Sequence, residues 1–405
     1  MTIRRLWIAL VAWGLLSCAG PAQQSEVVPL LEGGSAAPDA FRVVTYNALH
    51  GLLTGKFGVA AGESIEENER RFQLLILQLT RVAPDLVFLQ EVNPLPARAE
   101  RYVQALKEAG LDYAEIHQVD ACGMRMSENR ALFTDLNNGL VILAKTPLRL
   151  QKLAGLKLSG DFGRCRTSSG FQLEELRYGL IGEISIPGTT GKYLVASTHL
   201  HSGFEAGAPF LTWLSDHRET FSRYADLRWE IEQSRLRRIG ELNRLIRTLN
   251  KLKREGSYTG IIFGGDLNFE ESHPEYEEVR LLRYLDTSRI ANHNDRRYTA
   301  DPLHNRLIPD PETSPFPSIL VDLTAKEEPA VQASITEAYR TEMRRPRQID
   351  YLIEHSFLPG YCLTQTLFGQ ETDSLGLPAS DHYGLLNVYR REPVPCHERD
   401  AVKWD

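Results

Sequence analysis

The feature that most constrains this chain is a recurring unit: about five apolar residues in a row, ending abruptly in a carboxylate, an amide or an imidazole. Residues 41–46 run into Asn47, and residues 85–89 into Gln90 and Glu91. Residues 193–198 run into His199 and His201, and residues 261–265 into Asp266 and Asn268. Residues 349–353 carry Asp350, Ser380-Asp381-His382 precedes a run over 384–389, and a further run over 139–143 is closed by Lys145-Thr146-Pro147. Apolar runs of this length read as strands buried on both faces. A single polar strand end is usually a turn or a cap. A series of them in one chain predicts an α/β protein in which one sheet rim gathers ionisable groups, the usual place for a ligand cleft in layered folds. Between the strands, Phe72, Leu75, Ile76 and Leu79 recur at helical spacing and predict a helix over 65–82.

The end groups form a chemically matched set. Glu91 is a hard oxygen ligand and Asn47 adds an amide oxygen, which suits magnesium. His199 and His382 can donate to a phosphoryl oxygen or move a proton near neutral pH. Asp350 or Asp381 would orient a histidine and stabilise its charged form. Asp266 and Asn268 lie two apart and so share a face if the strand continues. No serine or cysteine sits in a GxSxG elbow, so direct attack by water is the simpler mechanism.

Composition bounds the rest. With 42% hydrophobic and 24% charged residues over 405 positions, disorder and a multispan membrane protein are both excluded. The N-terminus has basic Arg4 and Arg5, an apolar run over 6–16 and then Leu15-Leu16-Ser17-Cys18, which resembles a bacterial lipobox. The expected organisation is a signal peptide over 1–17, a tether over 18–39 with Cys18 as the lipid attachment point, a catalytic domain over 40–392 and a tail over 393–405. This places the chain as an exported outer-membrane lipoprotein, facing the periplasm or the surface and held by its lipid; an ordinary secretory signal is the alternative. Loss of the leader removes two positive charges and takes the net charge from −7 to −9. An acidic chain is a poor prior for tight nucleic-acid binding. In an oxidising compartment Cys122–Cys165 and Cys362–Cys396 are the favoured disulfides of three connectivities, with free thiols as the alternative.

Seven stretches, in order, are similar to the endonuclease/exonuclease/phosphatase superfamily. They are Thr45-Tyr46-Asn47, Leu89-Gln90-Glu91-Val92, Asn138 to Leu143, Ser197-Thr198-His199-Leu200, Gly265-Asp266-Leu267-Asn268, Ile349-Asp350-Tyr351 and Ser380-Asp381-His382. The resemblance implies a DNase-like four-layer α/β sandwich, two packed mainly antiparallel or mixed sheets flanked by helices. It implies a cation, Mg2+ or alternatively Mn2+, at Glu91 with Asn47 nearby and Asp381 in support. His199, Asp266, Asn268 and an Asp350–His382 pair would be catalytic, with Asp266 or His382 activating the water; Asn138 and His201 would bind substrate. Some nucleases of this family carry an acid two positions after the first Asn. Here that position is Leu49, which puts a second carboxylate on the cation in doubt.

The expected substrate is a phosphodiester cleaved by a monomer. Thr198-His199-Leu200-His201 resembles the neutral sphingomyelinase version of this strand end and favours a phospholipid head group. A secreted DNase or RNase, an inositol-phosphate phosphatase and a non-enzymatic surface lipoprotein are the alternatives. Phe204, Phe210, Leu211, Trp213 and Leu214 form either a lipid-engaging loop or a loop folded over the core. A helix over 222–253 would carry Leu236, Ile239, Leu242, Ile246 and Leu249 on its buried stripe. Its charges, Arg235, Arg237, Arg238, Arg244 and Arg247 with Glu230, Glu232 and Glu241, would lie on a solvated face, with a nucleic-acid track as the minority alternative. Residues 298–317 read as a long loop near the cleft, with Asp301 and Asn305 in turns and substrate contact as the minority alternative.

Overall fold

Seven of the strands in the computed structural model grow from the seven apolar runs. The structure describes residues 40–49, 64–120, 125–127, 130–131, 138–160, 176–204, 206–292, 297–308, 318–325 and 327–391. In chain order the strands are β1 (Ala40–Asn47), β2 (Leu86–Val92), β3 (Tyr113–Val119), β4 (Arg125–Ser127), β5 (Arg130–Ala131), β6 (Gly139–Lys145), β7 (Gln151–Ser159), β8 (Arg177–Ser185), β9 (Lys192–His199), β10 (Gly260–Asp266), β11 (Leu285–Asp286), β12 (Asp350–His355), β13 (Cys362–Phe368) and β14 (Gly384–Arg390). The helices are α1 (Ile65–Val82), α2 (Ala97–Glu108), α3 (Ala208–Asp216), α4 (Tyr224–Gly256), α5 (Pro274–Leu281), α6 (Thr287–Asn292), α7 (Ser318–Thr324) and α8 (Pro329–Met343). None of these helices is long and apolar enough to cross a membrane.

Two six-stranded sheets carry the fold, in the orders β13-β14-β1-β2-β6-β3 and β11-β12-β10-β9-β8-β7. Each is antiparallel except for one central pair: β1 runs parallel to β2, and β9 parallel to β10. Strand periodicity divides each sheet into two faces. Val43, Leu86, Phe88, Ile142, Val195, Ile262, Leu352 and Leu385 meet in the core between the sheets. On the outer face of the first sheet, Val44, Val87 and Leu89 pack with Phe72, Leu75, Tyr102 and Leu106 of α1 and α2. On the outer face of the second, Ile261 and Phe263 pack with Leu242, Leu245, Ile246 and Leu249 of α4. The four expected layers are therefore present.

α1 has the expected bounds for local reasons. Ser64 and Glu67 form a capping box, and Ala83 ends the helix in a left-handed conformation at φ 46°. α4 differs from its expected face. Leu236 is 50% exposed, whereas Arg235, Arg238 and Glu241 are buried. Its true stripe is Leu227, Ile231, Ser234, Arg235, Arg238, Glu241, Leu242, Leu245, Ile246 and Leu249, which keeps the expected Leu242, Ile246 and Leu249. Charges occupy its middle because each meets a partner. Arg238 contacts Glu275 of α5 at 2.8 Å, Glu241 accepts from the His201 amide at 2.8 Å, and Arg235 donates to the Ala206 carbonyl.

The aromatic segment after His201 is folded over the core. Phe204, Phe210 and Leu214, the latter two on α3, are buried with Leu227 and Ile231 of α4, Leu320 and Leu323 of α7, and Ile335 of α8. Residues 297–308 are irregular chain, with Asp301 and Asn305 accepting from amides two residues on, as turns require. Cys362 opens β13; Cys18, Cys122, Cys165 and Cys396 lie outside the described residues.

Candidate active site

Strand parity delivers the site. Residues 43 and 45 of β1 face the other sheet, so Asn47 does too; 195 and 197 of β9 carry His199, 262 and 264 of β10 carry Asp266, and 352 of β12 carries Asp350. Parallel neighbours end at the same rim, which sets His199 beside Asp266, and the antiparallel register sets Asp350 on the other side of Asp266. Gly264 lets the layers close beneath, since a Cβ there would meet Phe88, Thr45 and Leu352 atoms within 3.0 Å. Gln90 crosses that gap and donates to Ser197 at 3.1 Å.

Glu91 has the wrong parity for this crevice and enters it through a distortion. The β2–β6 register shifts between Leu89 and Val92, and Glu91 takes φ 56°. A bulge re-aims a side chain in this way, at a cost in backbone strain. Asn268, just past β10, and Leu49, just past β1, also have positive φ.

The side chains converge on Asp266. The Asn47 amide donates to Glu91 at 3.1 Å and to Asp266 at 3.2 Å. His199 Nε2 lies 3.5 Å from Asp266 Oδ2, and its Nδ1 lies 4.0 Å from Glu91. His382 Nδ1 contacts Asp350 Oδ2 at 2.8 Å, which leaves Nε2 3.9 Å from Asp266. The Asn268 amide N–H donates to Asp266 Oδ1, and its side chain donates to the Leu200 carbonyl. Thr299 accepts from the amides of Ile349 and Asp350 and fixes the entry to β12.

Burial pushes the Asp266 carboxyl up to about 7, and the charges of Asp350 and Glu91 add to the rise while His382 opposes it. Burial also works against a charged His382, but Asp350, Asp381 and Asp266 outweigh it and hold the ring well above its ordinary value. Asp266, Asp350 and His382 each offer a ligand atom, all within 4.8 Å of one another. Asp350 Oδ1 is buried and has no hydrogen-bond partner among the described residues. This crowd of carboxylate oxygens, repelling one another in a dry crevice, fits a hard divalent cation.

A cleft of about 390 Å³ opens over these groups. Glu91, Asn138, His199, Asp266, Asn268, Asp381 and His382 line it, so seven of the expected residues meet in one place. Asn47 and Asp350 lie behind its wall, bonded to residues that do line it. His201 stands apart. Its ring lies against Gly203, and its backbone is held by Glu241 and Arg238.

Arg177, Arg347, Asp120 and Ser202 also line the cleft and carried no motif. The strand-end pattern would have found two of them: Asp120 follows β3, and Arg177 opens β8, which runs antiparallel to β9 and so starts at its catalytic end. Arg177 donates to Ser202 at 3.3 Å. Burial pushes the Arg347 guanidinium down to about 10.

A family profile described as Endonuclease/Exonuclease/phosphatase family matches residues 44–320. An endonuclease/exonuclease/phosphatase family protein from Bacteroides thetaiotaomicron superposes with a TM-score of 0.50 at 13% identity, over 89% of this chain and 98% of that one. TDP2 from Caenorhabditis elegans superposes with a TM-score of 0.49 at 16% identity, over 87% of this chain and 75% of that one. Humanized D. rerio TDP2 does so at 0.45 and 15%, over 87% and 99%. No curated protein matches. Two mixed sheets with a polar rim, and a profile that spans well over half the sequence, establish that this chain belongs to the Endonuclease/Exonuclease/phosphatase family.

Proposed function

We propose that the chain is a divalent-cation-dependent phosphodiesterase that cleaves its ester by direct attack of water. One observation carries this reading: a single cleft gathers Glu91, His199, Asp266, Asn268, Asp381 and His382 from strand ends of both sheets. Glu91, with Asp381 in support, would hold the cation, magnesium or alternatively manganese; Asn47, expected as an oxygen ligand, instead turns its N–H donors to Glu91 and its oxygen to the Leu49 amide. When bound, it supplies positive charge against a phosphoryl oxygen and the leaving oxygen.

The protein's own groups divide the remaining work. Asp266, with Oδ1 fixed by the Asn268 amide, takes the proton of the attacking water through Oδ2. His199 and His382 present Nε2 at 3.5 and 3.9 Å from that oxygen and donate to the non-bridging oxygens of the phosphate. Asp350 accepts from His382 Nδ1 and so fixes the orientation of the ring. Arg177 and Arg347 add positive charge along the cleft wall.

For the substrate we favour a phospholipid head group. The cleft has the volume of one small esterified group, and Leu176, Ala300, Ile308 and Ile349 are among the residues that line it. Three of the five α4 arginines named for a nucleic-acid track are not open to one, since Arg235 and Arg238 are buried and Arg237 is bonded to Glu241; Arg244 and Arg247 are exposed. A lipid anchor at Cys18 on an exported chain acting as a monomer would bring the site to a membrane substrate, and a disulfide at Cys362 belongs to the same picture. The test is a panel of sphingomyelin vesicles, plasmid DNA, RNA and inositol phosphates, with magnesium and with EDTA. Magnesium-dependent release of phosphocholine, abolished by EDTA, is expected. Cleavage of DNA or RNA without any of sphingomyelin would move the substrate to nucleic acid, and inertness on every ester would refute the hydrolase reading.

A further inference from the structure

Arg71 has no place in the proposed chemistry, yet it is among the most buried charges of the protein, at 4% exposure. It stands on α1, outside the first sheet, and its guanidinium reaches the catalytic rim. Nη1 donates to the carbonyl oxygens of Ala48 at 3.1 Å and Ala379 at 2.8 Å, and Nη2 donates to that of Leu49 at 3.1 Å. These carbonyls belong to two segments 330 residues apart. One is the exit of β1, just past Asn47; the other leads into Ser380-Asp381-His382.

Both segments pass this constraint on to the site. Leu49, held in a left-handed conformation at φ 51°, donates its N–H to Asn47 Oδ1 at 3.1 Å. That bond turns the other end of the Asn47 amide toward Glu91 and Asp266. On the opposite side Ser380 Oγ donates to Asp381 and accepts from the His382 amide, so the backbone that begins at Ala379 sets both side chains. A planar guanidinium can satisfy three carbonyls in a fixed fork, which an ammonium on a flexible stem cannot do.

We infer that Arg71 is a positioning residue: it staples the β1 exit to the loop before β14 and so sets the spacing between the Asn47–Glu91 group and the Asp381–His382 group. The kinetic part of this inference rests on the phosphodiesterase reading; the structural part does not. Asn305 supplies the contrast, since it donates to Ser380 O and, among the described residues, bonds the second of these segments and not the first.

The experiment compares the full-length wild type with Arg71→Met, Arg71→Lys and Asn305→Ala. Amide hydrogen exchange is followed by mass spectrometry on peptides covering 44–49 and 379–385. Turnover of bis(p-nitrophenyl) phosphate is followed with magnesium. In Arg71→Met, exchange rises on the order of tenfold in both segments together, with the remaining strands unchanged. Its kcat falls about a hundredfold with KM unchanged, as expected for a misplacement felt only in the transition state. Arg71→Lys recovers part of both effects, and Asn305→Ala loosens 379–385 alone. Unchanged exchange in either segment, loosening spread over both sheets, or normal kcat with both segments loosened would each overturn the inference. If Arg71→Met does not fold, Arg71→Lys carries the same comparison. A wild type inert on every phosphodiester defeats the functional reading, and the exchange pattern alone then decides the staple.

Discussion

Glu354 tests the inter-sheet packing with a sign and a size. It sits on β12 at 8% exposure and accepts from the Tyr389 hydroxyl at 2.7 Å. Burial pushes its carboxyl from the usual 4.5 up to about 7, against the smaller lowering effect of the Tyr389 bond. Below pH 4.5 the carboxyl is protonated in the folded and unfolded states alike, and the stability that Glu354 contributes is fully present. Between 4.5 and 7 the unfolded chain has released the proton and the folded protein still holds it, so stability falls as pH rises. Above 7 the loss is complete. A shift of that size corresponds to about 3 kcal/mol. Glu354→Gln stays neutral at every pH and keeps an acceptor for Tyr389. The variant should therefore match the wild type near pH 4.5 and exceed it by up to about 3 kcal/mol at pH 8. Urea unfolding followed by tryptophan fluorescence at both pH values gives the double difference, in which titration of the active-site cluster cancels. A gap of equal size at both pH values, or one that opens on the acid side, would show that Glu354 is not held protonated in the fold.

Four further outcomes are expected. His382→Ala and Asp350→Asn should each lower turnover by about two to four orders of magnitude while the thermal unfolding curve keeps its cooperativity; near-normal rates in either variant would remove that residue from the chemistry. Glu91→Gln should raise the magnesium concentration for half-maximal activity, measured by cation titration, more than it lowers the rate at saturation. Arg238→Met leaves the fully buried Glu275 without its partner at 2.8 Å and should cost about 3–5 kcal/mol in chemical denaturation, with most of it recovered in the Arg238→Met, Glu275→Met double variant. Cys18→Ser should move the protein from the membrane to the soluble fraction and lower its mass by the lipid; unchanged partitioning and mass would end the lipoprotein proposal.

What could be read from sequence was whatever is local along a strand. The run over 261–265 shows that Asp266 ends a buried strand, and its register against His199 and Asp350 follows once the strands pair. Strand parity aims Glu91 the wrong way, because a bulge is a decision of the pair β2–β6 and leaves no trace in alternation. On α4 it is Arg235, Arg238 and Glu241 that continue the buried stripe. A helical pattern scored on apolar residues skips that turn, since the partner that makes the burial tolerable, Glu275, lies on another helix. Arg71 was invisible for the same reason: its acceptors at Ala48, Leu49 and Ala379 are backbone carbonyls, and carbonyls have no sequence.

The positions that escaped sequence reading share a physical character that bears on how the site works. Asn47 and Glu91 belong to one sheet and His199, Asp266 and Asp350 to the other, so no single sheet holds a complete set. Each central parallel pair delivers two strand ends to the rim, but the distance between the two pairs is not fixed by hydrogen bonding within either sheet. It is fixed by what crosses the gap: Phe88 and Thr45 against the bare Gly264, Gln90 donating to Ser197, and the Asn47 amide bridging Glu91 and Asp266. Catalytic geometry in this fold is therefore a property of the packing between the layers. Long polar side chains that reach across strand ends set it at least as much as the apolar runs that made the strands legible.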